Sequence, residues 1–270
     1  MAGGNVNVES RDEIEGLPNL LVCDLDGVVY LEDEPIPGAA DAIEAIRDGG
    51  WRVIFATNNA TRTGADLVRA LADRAGVVAE EHDIVSAAMA VVSLIERGPV
   101  FIVGESGLVD TVHQAGFEIT TNPESAATVA LGLDRALSYE KLASATKAIL
   151  GGASFIAANH DPSFPTPSGL VPGGGAIAAA LATASGIQPI YAGKPEVAMR
   201  DLIIDRAGVV DQVWVVGDRP DADVALAQEA GWSSALVLSG VIASPDAIPP
   251  QHRPDVVLGS IAELPTVLGL

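Results

Sequence analysis

The stretch that most limits how this chain can fold is Leu20-Leu21-Val22-Cys23-Asp24-Leu25-Asp26-Gly27-Val28-Val29, an apolar run broken by two carboxylates two positions apart and then a glycine. It reads as a strand buried on both faces, and such strands belong to parallel sheets covered by helices. Polar residues are tolerated there only near the carboxyl end, where the strand opens into the crevice that α/β sheets use for ligands. Two acids at that point cost desolvation and mutual repulsion, which a cation would offset. The competing reading makes Asp24 and Asp26 plain turn acids before Gly27.

Three more strand ends decide between the two. Residues 51–56 form an apolar strand closing on Thr57-Asn58-Asn59-Ala60-Thr61, residues 189–192 run into Gly193-Lys194-Pro195, and residues 213–216 end in Gly217-Asp218-Arg219-Pro220-Asp221-Ala222-Asp223. A helical pattern follows each, the first opened by a capping pair of Thr63 and Asp66. The carboxyl ends of parallel strands share one rim, so Asp24, Asp26, Thr57, Asn58, Lys194, Asp218 and Asp223 are expected to meet there. Residues 28–35 read as a small hairpin flap beside the acids, and strands at 235–238 and 255–258 finish the sheet.

Between these clusters, residues 84–188 carry strands at 100–103, 128–131 and 155–158 and helices at 86–97, 106–115 and 139–150, without a catalytic cluster. The expected organisation is an α/β protein with a catalytic core of residues 18–83 and 189–270, an inserted α/β domain of residues 84–188, and a disordered tail of residues 1–17. Residues 159–175 form a proline- and glycine-rich loop before an alanine-rich helix at 176–185. Loops of that length in compact domains are functional or disordered.

The formal charge of −21 opposes nucleic acid and anionic membrane as partners, since both carry the same sign. No apolar run approaches the ~20 residues of a transmembrane helix, and the polar, acidic start of the chain resembles neither a secretory signal nor a transit peptide. The single cysteine, Cys23, fits a reducing compartment, so a cytoplasmic location is expected. An anionic substrate would be repelled globally, but over a Debye length of only about 8 Å, so local groups must attract it.

A carboxylate nucleophile, a second carboxylate, further acids able to hold a divalent cation and a lysine compose a phosphoryl-transfer site. Aspartate can attack phosphorus and split one hard step into two. Magnesium suits such oxygen ligands, and Lys194, the Thr57 hydroxyl and loop amides would meet the charge on the transferring oxygens.

These residues resemble the haloacid dehalogenase superfamily, in particular the NagD-like and p-nitrophenyl phosphatase group with a large C2-type cap. The resemblance rests on Asp24-Leu25-Asp26-Gly27, Thr57-Asn58-Asn59, Gly193-Lys194-Pro195 and Gly217-Asp218-Arg219 with Asp223, supported by Val129-Ala130-Leu131-Gly132-Leu133-Asp134 and Gly169-Leu170-Val171-Pro172-Gly173 in the inserted region. It implies a Rossmann-like core with an inserted cap, and magnesium-dependent hydrolysis of a small phosphate monoester of the sugar, glycerol, glycolate or nucleotide type. Asp24 is then the nucleophile, Asp26 the general acid and base, and Lys194 a support for phosphate and Asp24. Thr57 and Asn58 bind phosphate. Asp24, the Asp26 carbonyl and Asp218 hold magnesium with Asp223 in support, and Asn159, His160 and Asp161 contact the leaving group. The expected partner is a small phosphorylated metabolite, with a homodimer left open. Ala222 departs from the family's usual threonine.

Three other readings compete. A phospho-aspartate receiver domain needs more than a hundred fewer residues and no second acid at Asp26. A phosphomutase of the same superfamily carries its cap directly after the acid motif, whereas Asp26 and Thr57 are only thirty-one positions apart. A nucleotide-triphosphate loop fails because Pro195 stands where it needs a hydroxyl residue.

Overall fold

The computed structural model describes residues 16–166 and 169–270, so most of the expected N-terminal tail, residues 1–15, lies outside the described residues. In chain order the elements are β1 (Leu20–Cys23), β2 (Tyr30–Leu31), β3 (Glu34–Pro35), α1 (Ala39–Asp48), β4 (Arg52–Thr57), α2 (Gly64–Ala75), β5 (Ile84–Ser86), α3 (Ala87–Ser93), β6 (Val100–Val103), α4 (Ser106–Gln114), β7 (Thr128–Leu131) and α5 (Tyr139–Leu150). They continue with β8 (Ser154–Ala157), β9 (Ser163–Thr166), β10 (Gly169–Pro172), α6 (Gly174–Ser185), β11 (Ile190–Tyr191), α7 (Val197–Ala207), β12 (Val213–Gly217), α8 (Ala225–Ala230), β13 (Ser233–Val237), β14 (Val256–Leu258) and α9 (Leu264–Leu268).

Six strands form a parallel sheet in the order β14-β13-β12-β1-β4-β5, and four form a second parallel sheet in the order β11-β8-β7-β6. Strand β1 lies at the middle of the larger sheet, pairing Leu20 with both Val213 and Arg52. Its four side chains are all buried, as a strand covered on both faces requires. The strand stops at Cys23, and Asp24 hydrogen-bonds back to Val216 at 2.9 Å before the chain turns, so the acids sit just past the last pleat. Helix α2 starts where expected: Thr63 Oγ1 accepts from the Asp66 amide and the Asp66 carboxylate accepts from the Thr63 amide. The hairpin flap forms from β2 and β3.

Two strands sit in a different sheet from the one their position in the chain suggests. Strand β5, at the start of the expected insertion, pairs Phe55 with Ile84 and extends the larger sheet, so that sheet continues past residue 83. Strand β11, placed with the core in the sequence reading, pairs Ile190 with Ile156 and belongs to the second sheet. A short apolar run shows that a strand exists but not its partner, because pairing is decided by contacts far apart in the chain. The loop at 159–175 also contains structure: β9 and β10 pair antiparallel from Ser163↔Pro172 to Thr166↔Gly169. A two-stranded ribbon has two free edges, which is where proline is tolerated.

The two sheets share apolar packing. Ile54 and Ala56 of the larger sheet fall in one buried cluster with Leu108 and Val112 of α4, Ala130 of β7 and Ile156 of β8. Among the described residues no helix is long and apolar enough to cross a membrane.

Candidate active site

Lys194 is the hub of the crevice. Its ammonium, 3% exposed, donates to Asp24 Oδ1 at 2.7 Å, Asp223 Oδ1 at 2.6 Å and the Ala56 carbonyl at 2.8 Å. Three acceptors use all three of its protons. Because β11 lies in the second sheet, Lys194 does not come from the rim shared by β1, β4 and β12 as the sequence reading supposed. It enters from the side, on the segment linking the second sheet to α7.

Asn58 fixes that segment. Its side chain accepts from the Lys194 amide at 2.7 Å and donates to the Lys194 carbonyl at 3.1 Å. Gly193 permits the approach, since a Cβ there would run into Asn58 Oδ1 and the Ala158 carbonyl. The Asn58 side chain thus brackets Lys194 with its oxygen and one of its two amide protons, and the other amide proton and the backbone N–H remain as donors for a phosphate. Thr57, 2% exposed, ends β4 with Oγ1 accepting from the Asn59 amide at 3.1 Å.

Asp24, Asp218 and Asp223 bring carboxylate oxygens within 4.8 Å of one another, all buried. Val241 donates to Asp218 Oδ2 at 2.7 Å, and the Arg219 amide donates to Asp223 Oδ2 at 3.1 Å. Both Asp223 oxygens are thus occupied. Gly27, at φ +83°, lies against this group, and a Cβ on it would stand 2.5 Å from Asp218 Oδ2. Burial raises Asp24, and the charge and hydrogen bond of Lys194 offset this only in part. Burial and then the charges of Asp24 and Asp223 push Asp218 well up. Burial lifts Asp223 to about 6 against the pull of Lys194. Burial works against the charged form of Lys194 as well, but Asp223 and Asp24 outweigh it and raise its pKa. Three hard oxygen donors held close and reluctant to ionise together fit a small divalent cation.

Asp26 stands open to solvent, unlike Asp24, yet protein atoms crowd it and raise its carboxyl against the pull of Arg62, Arg74 and Lys194. The expected leaving-group residues follow β8. Asn159 donates to the Asn58 carbonyl at 2.7 Å and accepts from the Asp161 amide at 3.1 Å, so its side chain ties the two sheets together. His160 hydrogen-bonds Glu196 at 2.8 Å and stacks on Tyr191 with ring centroids 3.5 Å apart. Asp161 pairs with Arg219 at 3.2 Å. Sequence reasoning gave no role to Arg219, Tyr191 or Glu196. Arg219 stood inside a motif already noted, but its partner is 58 positions away and no local pattern marks it.

A parallel-sheet α/β enzyme is what this fold and this set of acids around one lysine define. Residues 21–118 match the model of the haloacid dehalogenase-like hydrolases, and residues 191–264 match a second HAD-hydrolase-like model. The chain is 37% identical over 246 residues to dihydroxyacetone phosphatase of Corynebacterium glutamicum, covering 89% of this chain and 88% of that one. Among solved structures it resembles p-nitrophenyl phosphatase from Archaeoglobus fulgidus, with TM-score 0.86, 32% identity and coverage of 92% and 98%. It also resembles glycerol phosphate phosphatase from Mycobacterium tuberculosis in complex with magnesium, with TM-score 0.82, 35% identity and coverage of 91% and 75%. The chain belongs to the haloacid dehalogenase-like hydrolases.

Proposed function

We propose that the protein is a magnesium-dependent phosphatase that hydrolyses a small phosphate monoester through a phosphoryl group carried on Asp24. The observation that carries the proposal is the buried hydrogen bond from Lys194 to Asp24 Oδ1, beside two further carboxylates, at the end of the central strand. Asp24 and Asp218 would hold magnesium through their carboxylates, together with the Asp26 carbonyl, while Asp223 supports through Lys194 and the Arg219 amide. Bound there, magnesium supplies positive charge against the substrate's oxygens. Lys194 holds Asp24 ionised and aimed. Asp24 attacks phosphorus as the bond to the leaving oxygen breaks, and Asp26 gives that oxygen its proton. Asp26 then takes a proton from water, whose oxygen attacks the same phosphorus, releasing phosphate and restoring Asp24. Thr57 and the Asn58 N–H bind the transferring oxygens.

The second sheet, with the β9–β10 hairpin, serves as a cap over the leaving group. Relatives named for dihydroxyacetone phosphate, glycerol 3-phosphate and sugar phosphates support a small phosphorylated metabolite as substrate. The test is a phosphate-release screen over a panel of monoesters with and without magnesium. Turnover of several small esters only in the presence of the metal is expected, and metal-independent turnover, or none on any ester, contradicts the proposal.

A further inference from the structure

The loop between β4 and α2, residues 57–62, continues a strand of the larger sheet, yet the second sheet grips it. Asn159 donates to the Asn58 carbonyl at 2.7 Å, and Gly132, just after β7, leaves room for Ala60: a Cβ on Gly132 would stand 3.3 Å from the Ala60 methyl. The tightest contact is made by Gly107, in the first turn of α4. A Cβ there would run into the Thr61 carbonyl carbon and the Arg62 amide nitrogen, which are backbone atoms that no side-chain rotation can move aside.

Both sides of this contact are held. The start of α4 is tied down by Glu105, which accepts from the Arg135 amide at 3.1 Å, its Nε at 2.7 Å and its Nη2 at 2.6 Å. On the other side the chain passes at once into α2, where Thr63 and Asp66 cap each other. The loop itself links Thr61 back to the crevice. Thr61 donates through its amide and its hydroxyl to Asn59 Oδ1, at 2.8 Å each, and the Asn59 amide donates to Thr57 Oγ1 at 3.1 Å.

We infer that Gly107 is a positioning residue: the close approach of α4 to the Thr61–Arg62 backbone sets the shape in which residues 57–62 present Thr57 and the Asn58 N–H to the phosphoryl oxygens. This rests on the phosphatase reading above. A misplacement of about 1 Å is enough to spoil a reacting geometry, and a methyl at Gly107 forces the helix or the loop to move before it reaches ordinary van der Waals contact. The displaced donors face phosphate and not the leaving group, so the loss should be common to all monoesters and should appear in the binding of inorganic phosphate.

The experiment measures inhibition by inorganic phosphate, and kcat/KM for p-nitrophenyl phosphate and glycerol 3-phosphate, all with magnesium. The proteins are the wild type, Gly107→Ala, Asn59→Ala, the double variant and Leu108→Ala. Gly107→Ala should weaken phosphate inhibition by about tenfold and lower kcat/KM for both esters by a common factor of at least about ten. Asn59→Ala cuts the link from Thr61 to Thr57, so it should cause a loss of the same kind, and the double variant should fall well short of the product of the two single losses. Leu108→Ala disturbs the same helix without crowding the loop, so it should lower Tm while phosphate inhibition stays within about threefold of wild type. Unchanged phosphate inhibition in a folded Gly107→Ala protein, an equal loss in Leu108→Ala, or full multiplication in the double variant overturns the inference. If Gly107→Ala does not fold, Gly132→Ala decides: a weakening of about threefold that Ala60→Gly reverses supports the inference, and unchanged inhibition overturns it. Absence of magnesium-dependent release from both esters in the wild type would overturn the phosphatase reading instead.

Discussion

Lys194 is held by two carboxylates that would otherwise repel each other across a buried gap, so its removal has two consequences at once. Lys194→Met should abolish detectable turnover and destabilise the protein by about 3–5 kcal/mol, the cost of leaving buried charges without their partner. Urea denaturation in chelator measures the second effect, and a loss below about 1 kcal/mol would show that Lys194 is not the hub described. Asp26→Asn removes a proton donor without disturbing that pair. Its kcat/KM should fall far more for an alkyl phosphate than for p-nitrophenyl phosphate, whose leaving group needs little protonation. A uniform loss across leaving groups counts against the acid/base role. At this scale the acids were legible because two carboxylates at the end of an apolar strand have no cheap structural explanation. The grip of Asn58 on the Lys194 backbone was not, since its partner lies 136 positions away and no local pattern marks it.

Each of the expected strands and helices is present, with ends displaced by a few residues at most in the helices around α3 and α6. Helix α2 is the clearest case, because Thr63 and Asp66 announce its start. Thr63→Ala should cost about 1 kcal/mol of stability and leave kcat unchanged, which thermal or urea unfolding beside an activity assay would check. A change in kcat would mean that the cap residue reaches the crevice. What the sequence could not convey is which sheet β5 and β11 join, and that matters for function, since it brings Lys194 in from the second sheet. The apolar cluster that α4 shares with β4 has a further consequence. Leu108 is fully buried in the cluster common to both sheets, so wide separation of the sheets must expose it with its neighbours. Leu108→Ala should destabilise by about 2–5 kcal/mol.

For the whole molecule, the three carboxylates couple stability to pH and to metal. Asp24, Asp218 and Asp223 hold protons more tightly folded than unfolded, so folding without metal takes up protons. The stability of the chelated protein should therefore decline as pH rises from the ordinary carboxylate range through about 6, the value for Asp223. Magnesium should restore it more at pH 7.5 than at pH 5, because metal and protons compete for the same oxygens. Melting curves with magnesium and with chelator across that range provide the check, and a metal effect independent of pH would count against the cluster as its site. The net charge of −21 bears on partners but says little about this site, where the groups nearest a substrate are the buried Lys194 and its neighbouring carboxylates. The central claim is that Asp24 carries the phosphoryl group in a metal-dependent hydrolysis, and it is tested most directly by phosphate release from p-nitrophenyl phosphate in wild type and Asp24→Asn, each with magnesium and with chelator. Turnover by the wild type with magnesium alone, and a loss of at least about a thousandfold in a folded Asp24→Asn protein, is the predicted result. An Asp24→Asn rate within about tenfold of wild type would contradict the account.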